Sequence, residues 1–413
     1  MRTKLNIKNI IAVLTLVTIL GSLSFTTYKQ NIKVSILQKR LDFSGTNGLY
    51  IEYDKGLKFH WITNVADSGY YELRKTDNTI ISKGVTSSSR AHSISIAHNI
   101  KDNLIFKFGG INEARYEIKL HPKTNLQDAI YKNVDSLYVV GDVHGRYNEV
   151  INLLQKSQLI DTNLDWIGGK SHLVFLGDLF DRGDDVTKVL WFIYELEEKA
   201  KLKGGKVHLV LGNHEIMVMS NDLRYLSRKE AYIPIAHNTT YDYMFHPSNS
   251  LLGEWLSKKP SVIKIDNAIF AHGGILDLGT NSIDSFNKRT ASYMQKEPFL
   301  DLMKEYPDSL KYSTTEWNQI RSHFLYEDNL FWYRGYVKYD TLATQLNAML
   351  RKYNAKVHVV AHTTVETITQ KYKGKLLTTD LNEAATELLL LVKNKKKYHR
   401  FKIDSFGLIS KLN

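Results

Sequence analysis

Two carboxylates and a guanidinium, Asp178, Asp181 and Arg182, follow directly on the apolar run His172-Leu173-Val174-Phe175-Leu176. Like charges this close repel, and taking them out of water is costly. They are therefore either solvated turn residues or the surroundings of something strongly positive. The pattern recurs along the chain. Val139-Val140 leads into Gly141-Asp142-Val143-His144-Gly145, and Val210-Leu211 into Gly212-Asn213-His214-Glu215. Ile269-Phe270 leads into Ala271-His272-Gly273-Gly274, and Val359-Val360 into Ala361-His362-Thr363. Each apolar run stops, and a carboxylate, imidazole or amide follows beside a small residue that lets the backbone turn and leaves space for an ion. Taken singly, such residues are explained by turn chemistry and helix capping; Glu215 is expected to cap or pair locally, and His172, His208 and His358, which sit within strands, to be structural. Together, Asp, Asn and His donors suit divalent ions such as Mn²⁺, Fe or Zn²⁺. Six candidate ligands are too many for one catalytic ion that must keep open positions. Two ions sharing a carboxylate fit better, and a pair ~3.5–4 Å apart clamps both oxygens of a phosphoryl displacement and acidifies water.

The elements that must position these residues are legible in outline. Leu137–Val140, His172–Leu176 and Val207–Leu211 read as strands. Helical patterns lie between them, through Val150, Ile151, Leu153 and Leu154, then through Val186, Val189, Leu190, Phe192 and Ile193. Strand, turn and helix in repetition mark an α/β layered domain, and ligands of such sheets bind beyond the carboxyl ends of the strands. Further strands are expected at Ser261–Phe270, Val357–Val360 and Lys375–Thr379, a hairpin from Leu388–Val392 with His399–Ile403, and an irregular helical lobe over Ile283–Glu327. From Asn31 to His121 the style is different: short alternating runs such as Leu57–Ile62 and Tyr116–Leu120, broken by Gly, Asn, Asp and Ser, predict a small all-β sandwich. The expected organisation is a leader over 1–30, a β-sandwich over 31–122, a linker over 123–136 and an α/β domain over 137–413.

The leader follows from Arg2, Lys4 and Lys8 ahead of the uncharged run Ile10–Phe25, the pattern of a secretory signal or a short membrane anchor. The positive head should stay in the cytoplasm, which gives the remainder an extracytoplasmic address, periplasmic or secreted. The chain has 413 residues, a net charge of +12 and no cysteine. The missing thiol excludes disulfides, Cys-ligated zinc and a thiolate nucleophile. The basic balance is compatible with phosphorylated or other anionic partners, but the Lys-rich stretch Lys393–Lys397 lacks a stacking-aromatic array, so it predicts a solvated hairpin turn and no nucleic-acid partner.

The series GDVHG, GDLFDRG, GNHE, HGG and AHT resembles the calcineurin-like metallophosphoesterases, within them the phosphoprotein phosphatase branch, and, with Leu330-Phe331-Trp332-Tyr333-Arg334-Gly335-Tyr336, the Shewanella-like protein phosphatases. The resemblance covers about Leu137 to Leu381 and spares the leader and the sandwich. It implies a layered β-sheet sandwich flanked by helices, with two divalent ions (Mn, Fe or Zn). Asp142, His144 and Asp178 would hold the first ion; Asp178 would bridge to the second, held also by Asn213, His272 and His362. A metal-bridging hydroxide would attack phosphorus. His214 would protonate the leaving oxygen, oriented by Asp181, and Arg182 and Arg334, with Asn213, would bind the phosphate. The implied activity is hydrolysis of phosphomonoesters on proteins, at Ser/Thr or Tyr; the alternative is an extracytoplasmic phosphoesterase for small phosphates such as nucleotides. One position departs from the family pattern: Ala361 stands where Gly usually precedes the last histidine, which matters only if φ there is positive.

Overall fold

The apolar runs that end in polar residues form the strands of two facing sheets. In the computed structural model, which describes residues 41–122, 125–381, 385–395 and 397–412, Ser44–Asn413 forms one unit. The expected leader and part of the expected linker lie outside the described residues.

The N-terminal strands are β1 (Tyr50–Tyr53), β2 (Leu57–Lys75), β3 (Ile80–Ile96), β4 (Leu104–Gly110) and β5 (Arg115–Leu120). Among the described residues they make one hydrogen-bonded antiparallel sheet, not the two packed sheets of the expected sandwich, with β2 paired to β1, β3 and β4. Irregularities between Ile62 and Asp67 bend the long β2, so its two halves serve different neighbours. Phe59 and Phe106 stack at 4.0 Å in its buried face, beside Trp61 and Phe108.

Next come β6 (Ile130–Tyr131), β7 (Ser136–Val140), helix α1 (Tyr147–Lys156), β8 (His172–Phe175), helix α2 (Val186–Leu202) and β9 (Lys206–Leu209). Strands β7, β8 and β9 are parallel neighbours, which requires the helical crossovers. The later strands are β10 (Val262–Ile265), β11 (Ala268–Ala271), β12 (Val357–Val360), β13 (Thr369–Lys371), β14 (Leu376–Thr378), β15 (Glu387–Asn394), β16 (Lys397–Asp404) and β17 (Ile409–Lys411). One sheet runs β17-β16-β15-β7-β8-β9 and the other β13-β14-β12-β11-β10-β6. Leu137, Val139, Val174 and Leu389 of the first sheet and Ile263, Phe270, Val359 and Leu377 of the second share one buried core. Each fully buried aliphatic or Phe side chain contributes about 1.5–3 kcal/mol relative to exposure. The mixed α/β sandwich and the β15–β16 hairpin are as expected.

One expected element divides. Ser261–Phe270 is not a single strand but the hairpin β10–β11, with Asp266 and Asn267 at its turn. Asp266 takes a left-handed φ of 51°, and its carboxylate accepts the N–H groups of Asn133 and Val134, so the run of apolar residues is broken where a polar pair can turn. The helices between Arg228 and Ser257 have weak apolar periodicity and carry no expectation in the sequence; they cover the side where β1 meets the α/β layers.

The N-terminal sheet is tied into helix α2. Thr187 Oγ1 accepts from the N–H of Gly48 at 2.9 Å and donates to Asn47 Oδ1 at 2.9 Å, and Trp191 Nε1 donates to Leu49 O at 3.0 Å. Thr187→Val leaves a buried N–H without an acceptor. It should lower unfolding stability by about 1–3 kcal/mol in urea titrations, with aryl-phosphate turnover at folded concentrations retained.

Candidate metal centre

The site is assembled from loop residues at the carboxyl ends of strands in both sheets. Asp142 and His144 follow β7, Asp178 follows β8, Asn213 and His214 open helix α3 (Asn213–Met219) behind β9, His272 follows β11, and His362 follows β12. These residues are all buried. Gly177, at φ 89°, makes the turn into Asp178; a Cβ there would meet Gly212 N at 2.4 Å. His144, Asp178, Asp181, Arg182 and His362 themselves have positive φ, between 48° and 68°. Such conformations cost free energy in non-glycine residues and persist only where surroundings over-determine them. Ala361 is not among them, so the expected family Gly is not needed at that position; the left-handed turn falls on His362 instead.

Asp178 is the hub. Its Oδ2 lies 3.2 Å from His272 Nε2, 3.8 Å from His214 Nε2 and 3.9 Å from His144 Nε2. Its Oδ1 accepts the N–H of His214 at 2.9 Å. Donor atoms fall into two groups within 4.8 Å, His144, Asp178 and His214, and Asp178, His272 and His362, with Asp178 in both. Asp142 joins the rim: its Oδ2 lies 3.7 Å from His144 Nε2, and its Oδ1 accepts from His362 N.

The imidazoles are set by backbone carbonyls. His144 Nδ1 lies 2.8 Å from Phe180 O, His272 Nδ1 2.7 Å from Leu176 O and His362 Nε2 3.1 Å from Trp332 O. A carbonyl can only accept, so each of those nitrogens carries the proton and the other nitrogen of each ring presents a lone pair. His272 Nε2 then faces Asn213 Oδ1 at 2.8 Å, His362 Nδ1 at 3.1 Å and Asp178 Oδ2 at 3.2 Å. With one proton on each ring, four electron-rich atoms converge with no donor among them, an arrangement that repels itself unless a cation or a further proton sits between. His144 Nε2 is buried with no hydrogen-bond partner, which is the same signature on the other side of Asp178. The residues present therefore fit a pair of divalent ions.

Charge effects agree. Burial works against ionisation of both partners, yet Asp178 and Asp142 overcome it at His272 and pull its pKa up to about 10, so that without a cation between them a proton on Nε2 supplies the positive charge that the carboxylates demand. The histidines in turn hold Asp178 well below the usual carboxylate range despite its burial. Burial, His272 and Arg334 push His362 down to about 3, which leaves its lone pair available.

His214 Nδ1 lies 2.5 Å from Asp181 Oδ2, so its Nε2 points to the centre. Arg182 is exposed at the rim, its backbone N–H donating to Tyr225 O. Arg334 donates to the carbonyl of His362. Glu215, expected only to cap or pair locally, does so centrally: its buried carboxylate accepts the N–H groups of Asp178 at 2.9 Å, Leu179 at 2.7 Å and Gly212 at 2.7 Å. It fixes the turn that carries the hub, and only the Glu three residues after Gly212 hints at this in the sequence. His172, His208 and His358, read as structural, stand in strands away from this cluster; His208 Nε2 pairs with His172 Nδ1, and His358 bridges Ile275 N and Ile269 O.

Residues 136–366 match the calcineurin-like phosphoesterase family. The chain belongs to that family. Calcineurin-like phosphoesterases hydrolyse phosphoester bonds and normally hold two metal ions. Among curated relatives, Shewanella-like protein phosphatase 1 of Plasmodium berghei is 29% identical over 251 residues, 58% of this chain and 66% of that protein. A symmetrical bis(5'-nucleosyl)-tetraphosphatase of Wigglesworthia glossinidia brevipalpis is 33% identical over 157 residues, 36% of this chain and 50% of that one. The chain thus matches less than two thirds of either relative's length. Among solved structures, a point mutant of a cold-active protein tyrosine phosphatase superposes with a TM-score of 0.68 at 26% identity, over 90% of this chain and all of that one. Ninety per cent of 413 residues exceeds the span 137–413, so this likeness extends into the N-terminal sheet, which the motifs alone did not cover.

Asp178→Asn keeps shape and removes the shared charge. Metal analysis by mass spectrometry should show it binding less than half the metal of the parent protein, with turnover of an aryl phosphate lost; a variant that retained full metal content and rate would contradict the hub assignment.

Proposed function

We propose that the chain is a metal-dependent phosphatase for phosphomonoesters on proteins. The observation that carries this reading is the pair of buried donor groups that share Asp178. One ion would be held by Asp142, His144 and Asp178, the other by Asp178, Asn213, His272 and His362. Two divalent ions supply Lewis-acid charge for phosphoryl oxygens and the acidification of water. The chain supplies the rest. Asp181 orients His214 by accepting its Nδ1–H and supports the imidazolium form, whose second proton, on Nε2, would go to the leaving oxygen. Arg182, exposed at the rim, presents a planar guanidinium to the phosphate. Arg334, whose guanidinium donates to the carbonyl of His362, would join it from the side of the second donor group.

A protein substrate is favoured by the likeness to a protein tyrosine phosphatase structure along nearly the whole chain. The second reading, a nucleotide or dinucleotide substrate, draws on the shorter match to a bis(5'-nucleosyl)-tetraphosphatase. Among the described residues no helix is long and apolar enough to cross a membrane. An extracytoplasmic address, by secretion or through an N-terminal anchor, remains part of the proposal and rests on the basic, then apolar, start of the sequence.

The test is a panel of phosphotyrosine, phosphoserine and phosphothreonine peptides, mononucleotides and dinucleoside tetraphosphates, run with Mn²⁺ and after EDTA. Expected are cleavage of at least one phosphopeptide class above any nucleotide and complete loss with EDTA; faster nucleotide cleavage would overturn the protein-substrate reading. His214→Asn should lower kcat by about 10²–10⁴ on phosphoserine peptides. The loss should be much smaller on p-nitrophenyl phosphate, whose leaving group needs no proton; equal losses on both would remove His214 from the acid role.

A further inference from the structure

The cations that the sequence leaves unassigned gather at the end of the sandwich opposite the metal centre. Two adjoining cavities open there, of about 510 and 250 Å³, which share Asn267 and Tyr398. Four lysines line the first, and four lysines and an arginine line the second. The one carboxylate among the lining residues is Asp266, already bound by Lys393 Nζ at 3.0 Å and Tyr398 OH at 2.8 Å. Lys132, Lys356, Lys373, Lys395 and Lys397 are exposed and have no ion-pair or hydrogen-bond partner for their side chains among the described residues. These residues come from four separate parts of the chain and converge only in the fold.

The second cavity has an apolar floor. Val357, Leu377 and Leu391 reach it from the inter-sheet core, where the two sheets part. A rim of cations over an apolar floor does not suit a flat anionic surface, which would meet the rim and leave the floor unused. It does not suit single-stranded nucleic acid either, which needs aromatic platforms; Tyr398 is the only aromatic lining residue, and its hydroxyl is tied down by Val134 O and Asp266. We propose that this cleft binds an acidic peptide segment, with an apolar side chain seated on the floor and flanking carboxylates or phosphates on the lysines. Lys356 and His362 flank β12 at its two ends, so the cleft and the metal centre are separated by roughly 20 Å at ~3.3 Å per strand residue. A segment held in the cleft is therefore separate from the residue being dephosphorylated, and the cleft raises the local concentration of its carrier without touching the reacting atoms. The electrostatic part of this binding is between exposed charges, and salt screens it.

The test uses the metal-replete full chain and a fluorescein-labelled peptide, Asp-Glu-Asp-Leu-Phe-Asp-Glu-Asp, read by anisotropy. Raising NaCl from about 50 to about 300 mM should weaken binding at least about tenfold. Lys356→Glu with Lys397→Glu should weaken it at least about tenfold at constant salt, while p-nitrophenyl phosphate turnover stays at the parent level. Replacing the peptide's Leu-Phe by Gly-Ser should also weaken it. Lys132→Gln with Lys373→Gln, side chains with no hydrogen-bond or ion-pair partner among the described residues, serves as the second variant should the charge reversals disturb folding. Peptide binding that ignores both lysine pairs would overturn the proposal, as would a Gly-Ser peptide that binds equally well. Tighter binding of a dT20 oligonucleotide or of phosphatidylserine vesicles through the same lysines would assign the cleft to a different partner and overturn the peptide reading.

Discussion

An ionised carboxylate almost sealed from water governs the architecture of the centre. Burying such a group costs several kcal/mol unless positive charge and hydrogen bonds surround it. At Asp178 the surroundings are three imidazoles within 4 Å, a backbone N–H on Oδ1 and a left-handed backbone turn. His144 and His272 are themselves oriented by carbonyls and His214 by the Asp181 carboxylate, so the remaining nitrogen of each ring faces Asp178, where a proton or a metal ion must supply the positive charge. The local arrangement is thus unfavourable by itself and demands cations. The strain is distributed over the fold: Glu215 clamps the Asp178 turn through three backbone N–H groups, and close glycine contacts leave no room for it to relax.

Neither sheet could build this centre alone. Asp142 and Asp178 stand on the sheet that contains β7 and β8, and His272 and His362 on the sheet that contains β11 and β12. The parallel pairing of β7 with β8 places the two aspartates side by side, and that of β11 with β12 does the same for the two histidines. The shared apolar core then sets the distance between the pairs. Core packing therefore acts on the chemistry through geometry: a shift of one sheet over the other moves two ligands against two others.

The polarity of the parallel strands also separates functions. Carboxyl ends gather acids and imidazoles around the centre, while amino ends, with the β10–β11 turn and the β15–β16 tip, gather lysines. The N-terminal sheet is fastened to helix α2, the helix that follows the Asp178–Asp181 loop, by Thr187 and Trp191. Those bonds join it to the crossover that leads from β8.

The strand ends and the donor residues that follow them were legible because the strands are short, apolar and buried, so hydrophobic runs stop where polar chemistry begins. The α/β alternation and the terminal hairpin were legible for the same reason. Other features depend on partners far away in the chain. Within Ser261–Phe270 the only mark of the division is the Asp266-Asn267 pair, which a bulge or an edge could equally use; the hairpin is decided when Asp266 finds the N–H groups of Asn133 and Val134. The sequence could not show that His362 rather than Ala361 takes the positive φ, because that is decided by where the loop must place the imidazole. It gave Glu215 a local role only, whereas the acceptors' geometry makes it the brace of the hub. Lysines scattered from 132 to 397 become one cleft only when sheets pack. Residue types and their spacing determined which chemistry is available; long-range pairing and close packing decided which atoms meet, because distance in space is fixed by the fold and not by position along the chain.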